Sequence, residues 1–410
     1  MKRKKVLVVS QYFWPENFRV NELVLGLQAN GHYVEVLTST PNYPQGTIFS
    51  EYKNQPSKFS QYHDIQVYRV PQIARGKNKF MLLLNYLSFA LSSCLFCLFK
   101  LRDKNYDLIF AVQLSPISSV LPAIFCKFKF SIPLYIWVLD IWPDSISSTK
   151  INISSIGYKI LIKLCKNIYS LADYLLVSSK GFKKRLTEMG VIKPKIDYLP
   201  QWVENVYLRD LELGGCEDIQ IRSMISSWSQ KKIFLFAGNI GEAQDFDNVL
   251  LGFKHSNHLE DLVFLIIGDG RFKHSLSELI ELHGLSEHVF LLGHYPSNYM
   301  PFFYHYADVL VFSLSDIPVF QLTLPGKIQS YMSSGTPIIG MVDGESSLVI
   351  NEARCGFTVN AGNFKGLSML IDDCCLTSKS DLAAIGDNGR NYARKNFGYK
   401  SLIRKLVDSF

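Results

Sequence analysis

Residues 5–39 read KVLVVSQYFWPENFRVNELVLGLQANGHYVEVLTS. Val6–Ser10 and Tyr33–Thr38 are short β-branched runs suited to buried strands. Between them Glu16 to Asn30 places Leu23, Val24 and Leu27 on one helical face, and Gly31 ends the helix. Strand, helix and strand at this spacing imply a right-handed crossover and a parallel sheet. The pattern continues with strands at Ile65–Val70, Leu108–Val112, Leu134–Leu139 and Tyr174–Ser178. It changes near Pro200, where residues 203–230 are polar and acidic, with Gly214-Gly215 and a Ser-rich stretch. A second alternation then begins, with strands at Ile233–Ala237, Val263–Ile267, Val289–Leu292, Val309–Phe312 and Ile338–Met341. This reads as an α/β chain of two Rossmann-like domains, 1–205 and 231–388, joined by a linker region over 206–230.

Composition narrows the function classes. The 410 residues suffice for two ordinary cores, and a 48% hydrophobic content excludes intrinsic disorder. The net charge of +7 is modest, and no segment interleaves dense Lys/Arg with aromatics, so nucleic acid is not an expected partner. Eight scattered cysteines, including Cys94, Cys97, Cys126 and Cys165 in apolar runs, suit reduced thiols buried in a cytosolic protein. The Cys94–Cys97 CxxC lacks a second pair at zinc spacing. The apolar start, Val6 to Ser10, is too short for a secretory signal. The longest apolar run, MLLLNYLSFALSSCLFCLF at 81–99, would span roughly 28 Å as a helix. Asn85, Ser88, Ser92 and Ser93 interrupt it, which favours a buried domain helix or one lying in a membrane interface over a spanning one. Lys2 to Lys5, Arg75, Lys77 and Lys79, and Lys100, Arg102 and Lys104 are cationic clusters that suit an anionic leaflet.

Doubly wound sheets bind ligands outside the carboxyl ends of their strands, so candidate site residues follow the strands. In the second domain, Gly238-Asn239-Ile240-Gly241 forms a small turn expected to bare backbone N–H groups to a diphosphate. Gly268 lies in a second glycine turn, and Arg271 can reach phosphate or ribose. His294 follows a third strand, beside Gly293. Pro325-Gly326-Lys327 opens a helix that Gly335 and Pro337 stop, placing Lys327 beside free N–H groups as a diphosphate clamp. Asp245-Phe246-Asp247 falls at a helix start and reads as capping, so no metal site is expected. In the first domain, two loops bring carboxylates, aromatics and a proline to strand ends. One carries Trp14, Glu16, Asn17 and Arg19; the other carries Asp140 and Trp142. Asp140 is placed to orient an acceptor hydroxyl or a donor sugar.

These motifs together resemble family 4 glycosyltransferases, retaining enzymes of GT-B fold, over nearly the whole chain. The resemblance rests on YFWPE at 12–16 with Arg19, ELVLGL at 22–27 and GHYVEVLT at 31–38. It extends through PNYPQG at 41–46, LDIWPDS at 139–145, GNIG at 238–241, IIGDG at 266–270 and LPGKIQSYMSSGTPII at 324–339. It is nearest to the subgroup of O-antigen and colanic-acid enzymes typified by a proposed N-acetyl-L-fucosamine transferase. The resemblance implies two domains facing each other across a cleft and a C-terminal helix, 389–410, crossing back to the first domain.

It further implies a nucleotide-sugar donor, as substrate and with no cofactor, held by Gly238, Asn239, Gly241, Gly268, Arg271, His294, Lys327 and Ser330. The first domain would receive a polyprenyl-diphosphate-linked saccharide through Trp14, Asn17, Arg19 and Trp142, with Asp140 and Glu16 as catalytic residues. The expected place is the cytoplasm, peripheral on the inner face of the plasma membrane. UDP-N-acetyl-L-fucosamine is the donor favoured by the resemblance. The family's usual glutamate pair is absent: Leu322 and Ser330 stand there, so the ribose contact would fall to Ser330 or be lost. Glu242 and Ala243 replace the basic residue often found after the GNIG-type turn. A nucleotide-sugar epimerase and a non-catalytic assembly partner are the competing classes.

Overall fold

A computed structural model describes residues 3–76, 78–101, 104–148, 155–191, 196–207 and 219–410. The chain divides into two compact units, Met1–Pro200 with Lys400–Phe410, and Gln201–Tyr399.

Among the described residues, the first unit contains an eight-stranded sheet. Its strands are β1 (Lys5–Ser10), β2 (Tyr33–Ser39), β3 (Gln61–Tyr62), β4 (Ile65–Val70), β5 (Leu108–Gln113), β6 (Leu134–Val138), β7 (Tyr174–Val177) and β8 (Ile196–Tyr198). They lie in the order β3-β4-β2-β1-β5-β6-β7-β8, and only the β3–β4 pair is antiparallel. The order reverses between β1 and β5, which makes their carboxyl ends the switch point where such sheets take ligands. β5 and β6 are buried along their whole length, as a parallel sheet covered on both faces requires.

The second unit's six-stranded sheet comprises β9 (Lys232–Ala237), β10 (Leu262–Ile267), β11 (Val289–Gly293), β12 (Val309–Ser313), β13 (Ile338–Met341) and β14 (Gly356–Val359). All pairs are parallel in the order β11-β10-β9-β12-β13-β14, with the switch point between β9 and β12. Phe234, Phe236, Phe246, Phe253 and Phe264 pack one face of this sheet, and Leu235, Leu310, Ile328 and Tyr331 the other.

Several expectations need correction. The first helix runs Arg19–Ala29 and does not begin at Glu16, because the Glu16 carboxylate is engaged in the preceding loop. Within the expected linker, Ile219–Ser226 is helical and buries Ile225 in the second core, while Gly214-Gly215 lies outside the described residues. Gly389 sits inside the Lys379–Asn396 helix of the second unit, so the returning segment begins at Lys400. Phe410 of that segment packs its ring 5.2 Å from that of Tyr135, and Tyr135 Oη donates to the Ser409 carbonyl at 2.6 Å.

The apolar run forms the Lys79–Phe99 helix, the crossover from β4 to β5. Its inner side buries Asn85, Phe89, Ser93 and Cys97; its outer side exposes Phe80, Leu83, Leu87, Leu91, Leu95, Leu98 and Phe99. The helix packs on Leu121–Phe130, with Cys97 Sγ 2.8 Å from Cys126 Sγ.

Candidate active site

In the second unit the ends of β9, β10 and β11 are laced through their backbones. Gly238 N–H donates to Ile267 O, Ile240 N–H to Asp269 O, and Gly268 N–H to Gly293 O, at 2.9, 2.9 and 2.8 Å. Gly241 N–H donates to Gln244 Oε1 at 2.9 Å. The GNIG turn therefore spends three of its four amides inside the protein, which corrects the expectation of a bare amide cradle. Its glycines serve close approach instead. A Cβ on Gly268 would stand 1.8 Å from Gly238 O, and one on Gly238 would stand 2.6 Å from Lys327 Nζ.

Lys327 lies in the first turn of the Gly326–Ser334 helix, after Pro325, whose side chain offers no cap. Ile328 N–H turns back to Pro325 O at 3.0 Å, so Gly326 and Lys327 carry the first-turn N–H groups left without an acceptor in the helix. The Lys327 ammonium rests 3.6 Å from the centroid of the Phe236 ring. Burial pulls its pKa down to about 7. Tyr331, one turn later, fixes this arrangement: its Oη accepts from Ala237 N–H at 2.9 Å and donates to Ala237 O at 3.3 Å. The last residue of β9 and the lysine-bearing helix are thus held together.

The remaining donor candidates are not all drawn in. Asn239, Arg271 and His294 are exposed. Ser330 is buried and donates its hydroxyl to Gly326 O at 3.2 Å, a bond within its own helix. Asp245 occupies the N-cap position of Phe246–Lys254 but makes no side-chain cap; its carboxylate takes the Asn248 amide at 3.0 Å. Asp247 instead meets His283 Nε2 at 2.9 Å. Among the described residues no three His, Cys, Asp or Glu side chains form a group that would hold a metal ion.

In the first unit Glu16 is buried, and Oε1 accepts from Asn42 N–H at 2.8 Å and Tyr43 N–H at 2.7 Å. Burial pushes its pKa up to about 7 against three backbone N–H bonds that pull it down. Its carboxylate ties the loop after β1 to the loop after β2. Trp14 packs its ring 5.1 Å from Phe59 and 5.4 Å from Tyr62. Asn17 is exposed, and Arg19 opens the first helix half-buried.

After β6, Trp142 Nε1 donates to Ser115 Oγ at 3.1 Å, joining the loops after β5 and β6. Asp140 accepts from Ser145 Oγ. Burial raises its carboxyl, opposed by hydrogen bonds from Ser145, Ser115, Ile141 and Trp142. The nearby Asp144 is different, because it pairs with Arg185 Nε at 3.0 Å. Among the described residues Asp140 is therefore the carboxylate of this loop without a cationic partner.

One device escaped sequence reasoning. Asn85 Nδ2 donates to Ile73 O at 2.6 Å and to Asn42 Oδ1 at 3.4 Å, while its Oδ1 accepts from Gln11 Nε2 at 3.0 Å. The polar break in the apolar helix thereby holds the loops that follow β1, β2 and β4. A lone Asn in a leucine-rich run was the available signal.

Residues 220–392 match the family described as Glycosyl transferases group 1. The chain is similar to a probable glycosyltransferase, WbjE, of Pseudomonas aeruginosa, at 26% identity over 280 residues, or 66% of this chain and 67% of that one. It is also 26% identical over 298 residues to the putative colanic acid biosynthesis glycosyl transferase WcaI of Escherichia coli K12, covering 68% of this chain and 70% of the relative. Among solved structures it resembles Anabaena Alr3699/HepE in complex with UDP-glucose, with TM-score 0.71 at 14% identity over 100% of both chains. The glycosyltransferase WaaG, involved in lipopolysaccharide biosynthesis, gives 0.66 at 13% identity over 99% of both. Residues 220–392 thus carry a glycosyl transferases group 1 domain, and the chain is a glycosyltransferase of GT-B fold.

Proposed function

We propose that the chain is a retaining transferase that moves a sugar from a UDP-sugar, held by the second unit, to a lipid-diphosphate-linked saccharide during synthesis of O-antigen or another surface polysaccharide. The observation that carries this reading is Lys327: a desolvated ammonium at a helix start, beside the end of the switch-point strand β9, with no carboxylate among the described residues to neutralise it. A leaving diphosphate supplies the missing charge, and the first-turn N–H groups add to its stabilisation as the glycosidic bond breaks. Asp140 orients the acceptor hydroxyl, and the leaving phosphate takes its proton on the same face, which retains the anomeric configuration. UDP is favoured as the carrier because HepE was solved with UDP-glucose. The colanic acid assignment of WcaI supports a polysaccharide product, and N-acetyl-L-fucosamine is the sugar we favour.

The acceptor's lipid is supported by one face of the first unit. The crossovers β4–β5, β5–β6 and β6–β7 all proceed in one direction across the sheet, so their helices lie on one face. These helices, Lys79–Phe99, Leu121–Phe130 and Ser155–Ser170, contain lysines and no carboxylate. The last exposes Ile156, Ile160 and Leu164 along one stripe. Such a surface suits the anionic inner leaflet of the plasma membrane, with the protein peripheral on its cytoplasmic side.

The test is turnover with purified protein, screening UDP- and GDP-sugars against a lipid-diphosphate saccharide. We expect nucleotide release that depends on the acceptor, and an α- or β-configuration preserved from the donor by NMR. Isomerised donor without transfer would identify an epimerase, and donor binding with no turnover would identify an assembly partner; either overturns the proposal.

A further inference from the structure

At the switch point of the first unit, side chains from three loops and one helix meet around a guanidinium. Arg75 lies with its Cζ 5.3 Å from the centroid of the Tyr43 ring. Its backbone N–H is held by Asn42 Oδ1 at 3.2 Å. Among the described residues its side chain has no hydrogen bond or ion pair, although it is half-buried. Tyr12 leans on Tyr43 at 5.4 Å and stacks on Phe18 at 5.1 Å. The Tyr12 residue is 3% exposed, yet among the described residues its hydroxyl has no partner. A buried hydroxyl left unpaired loses its hydration without compensation, so it marks a place where a ligand atom belongs. Tyr86 follows Asn85 in the Lys79–Phe99 helix, and Asn85 Nδ2 meets the same Asn42 Oδ1 that accepts from Arg75 N–H, which brings Tyr86 to the group; the Arg75 charge acts on both its phenol and that of Tyr12. Burial holds both phenols above their ordinary pKa, so each remains a neutral donor.

We propose that Arg75, Tyr12 and Tyr86 form a phosphate-binding site for the diphosphate of a lipid-linked acceptor. The chemistry is that of an anion receptor: one guanidinium lying over the Tyr43 ring, and phenol hydroxyls that donate without adding charge. The neighbouring carboxylates do not compete for the guanidinium. Glu16 is committed to backbone N–H groups, and Asp140 to Ser145. A lipid source is favoured over free diphosphate because the helix that supplies Tyr86 turns its leucine stripe outward at Leu83, Leu87 and Leu91. The phosphate would be met on the inner side of a helix whose outer side meets acyl chains. This inference rests on the proposed lipid-diphosphate acceptor, and it adds the residues that recognise it.

The experiment is calorimetry on the full chain with farnesyl diphosphate, farnesol and inorganic diphosphate as probes. Farnesyl diphosphate should bind wild type, weaken about tenfold in Arg75→Gln and severalfold in Tyr12→Phe, and keep its affinity in Lys327→Ala. Farnesol should not respond to Arg75→Gln, which isolates the anion contact. Weaker binding of inorganic diphosphate at the same residues supports the lipid source. Equal affinity for it overturns that source. In the transfer assay, Arg75→Gln should raise KM for the acceptor more than it lowers kcat. If no lipid-linked acceptor is ever glycosylated, the functional proposal fails, and the calorimetry still decides the site. Unchanged affinity in both Arg75→Gln and Tyr12→Phe overturns it.

Discussion

Lys327 carries a positive charge that its surroundings do little to hold. Its ammonium faces a phenylalanine ring, and its pKa stands at about 7 against an ordinary value of 10.5. A bound diphosphate reverses that, since an opposite charge favours the protonated amine. Above pH 7 the free site is largely neutral, so donor binding must take up a proton there, and affinity should decline as pH rises further. Calorimetry at pH 8.5 in two buffers of different ionisation enthalpy should show uptake of about one proton in wild type and none in Lys327→Ala. Absence of uptake in wild type would remove Lys327 from the diphosphate. Asp140 belongs to the same scale. Its carboxyl is hydrogen-bonded but has no cationic partner among the described residues, so Asp140→Asn preserves shape while altering how an acceptor hydroxyl is held. Turnover should fall by about tenfold or more, with Tm nearly unchanged. Normal turnover would make Asp140 a structural residue.

Among the elements, the three crossover helices of the first unit matter most. Their outward residues touch little protein, so Leu87→Glu with Leu91→Glu, or Ile160→Glu, should leave the circular dichroism spectrum intact. Either change should abolish cosedimentation with anionic vesicles, and added salt should weaken wild-type binding as the lysine contribution, about 1 kcal/mol each, is screened. Equal cosedimentation of the variants would contradict the membrane face.

The sequence made much of this scale legible. Buried parallel strands appear as continuous apolar runs, and every such run proposed is a strand. The strands that escaped notice lie at sheet edges: Gln61–Tyr62 and Ile196–Tyr198 are too short to build a run, and Gly356–Val359 opens on a glycine and is not fully buried. Lys327 was readable because Pro-Gly-Lys announces a helix start. The Gln11–Asn42–Asn85 network was not, because its members lie in separate loops and a helix that only the fold brings together. The GNIG turn misled for a physical reason: a glycine that admits a phosphate and one that admits another backbone look identical in sequence.

At the scale of the whole molecule, the chain leaves the first unit after Pro200 and re-enters it at Lys400. The returning segment buries Leu402, Ile403, Leu406 and Val407 and seats Phe410 near Phe110 and Tyr135. Each such side chain contributes roughly 1.5–3 kcal/mol when buried. Deleting residues 400–410 should therefore lower the melting transition of the first unit while leaving that of the second in place. A single unshifted melt would show the segment to be dispensable. The central assignment places the donor in the second unit, on Lys327 and the end of β9. Titration of the full chain with UDP-sugars tests it most directly. At least one should bind wild type, with affinity reduced about tenfold or more in Lys327→Ala and unaltered in Arg75→Gln. Failure of every nucleotide sugar to bind, or equal affinity in Lys327→Ala, would contradict it.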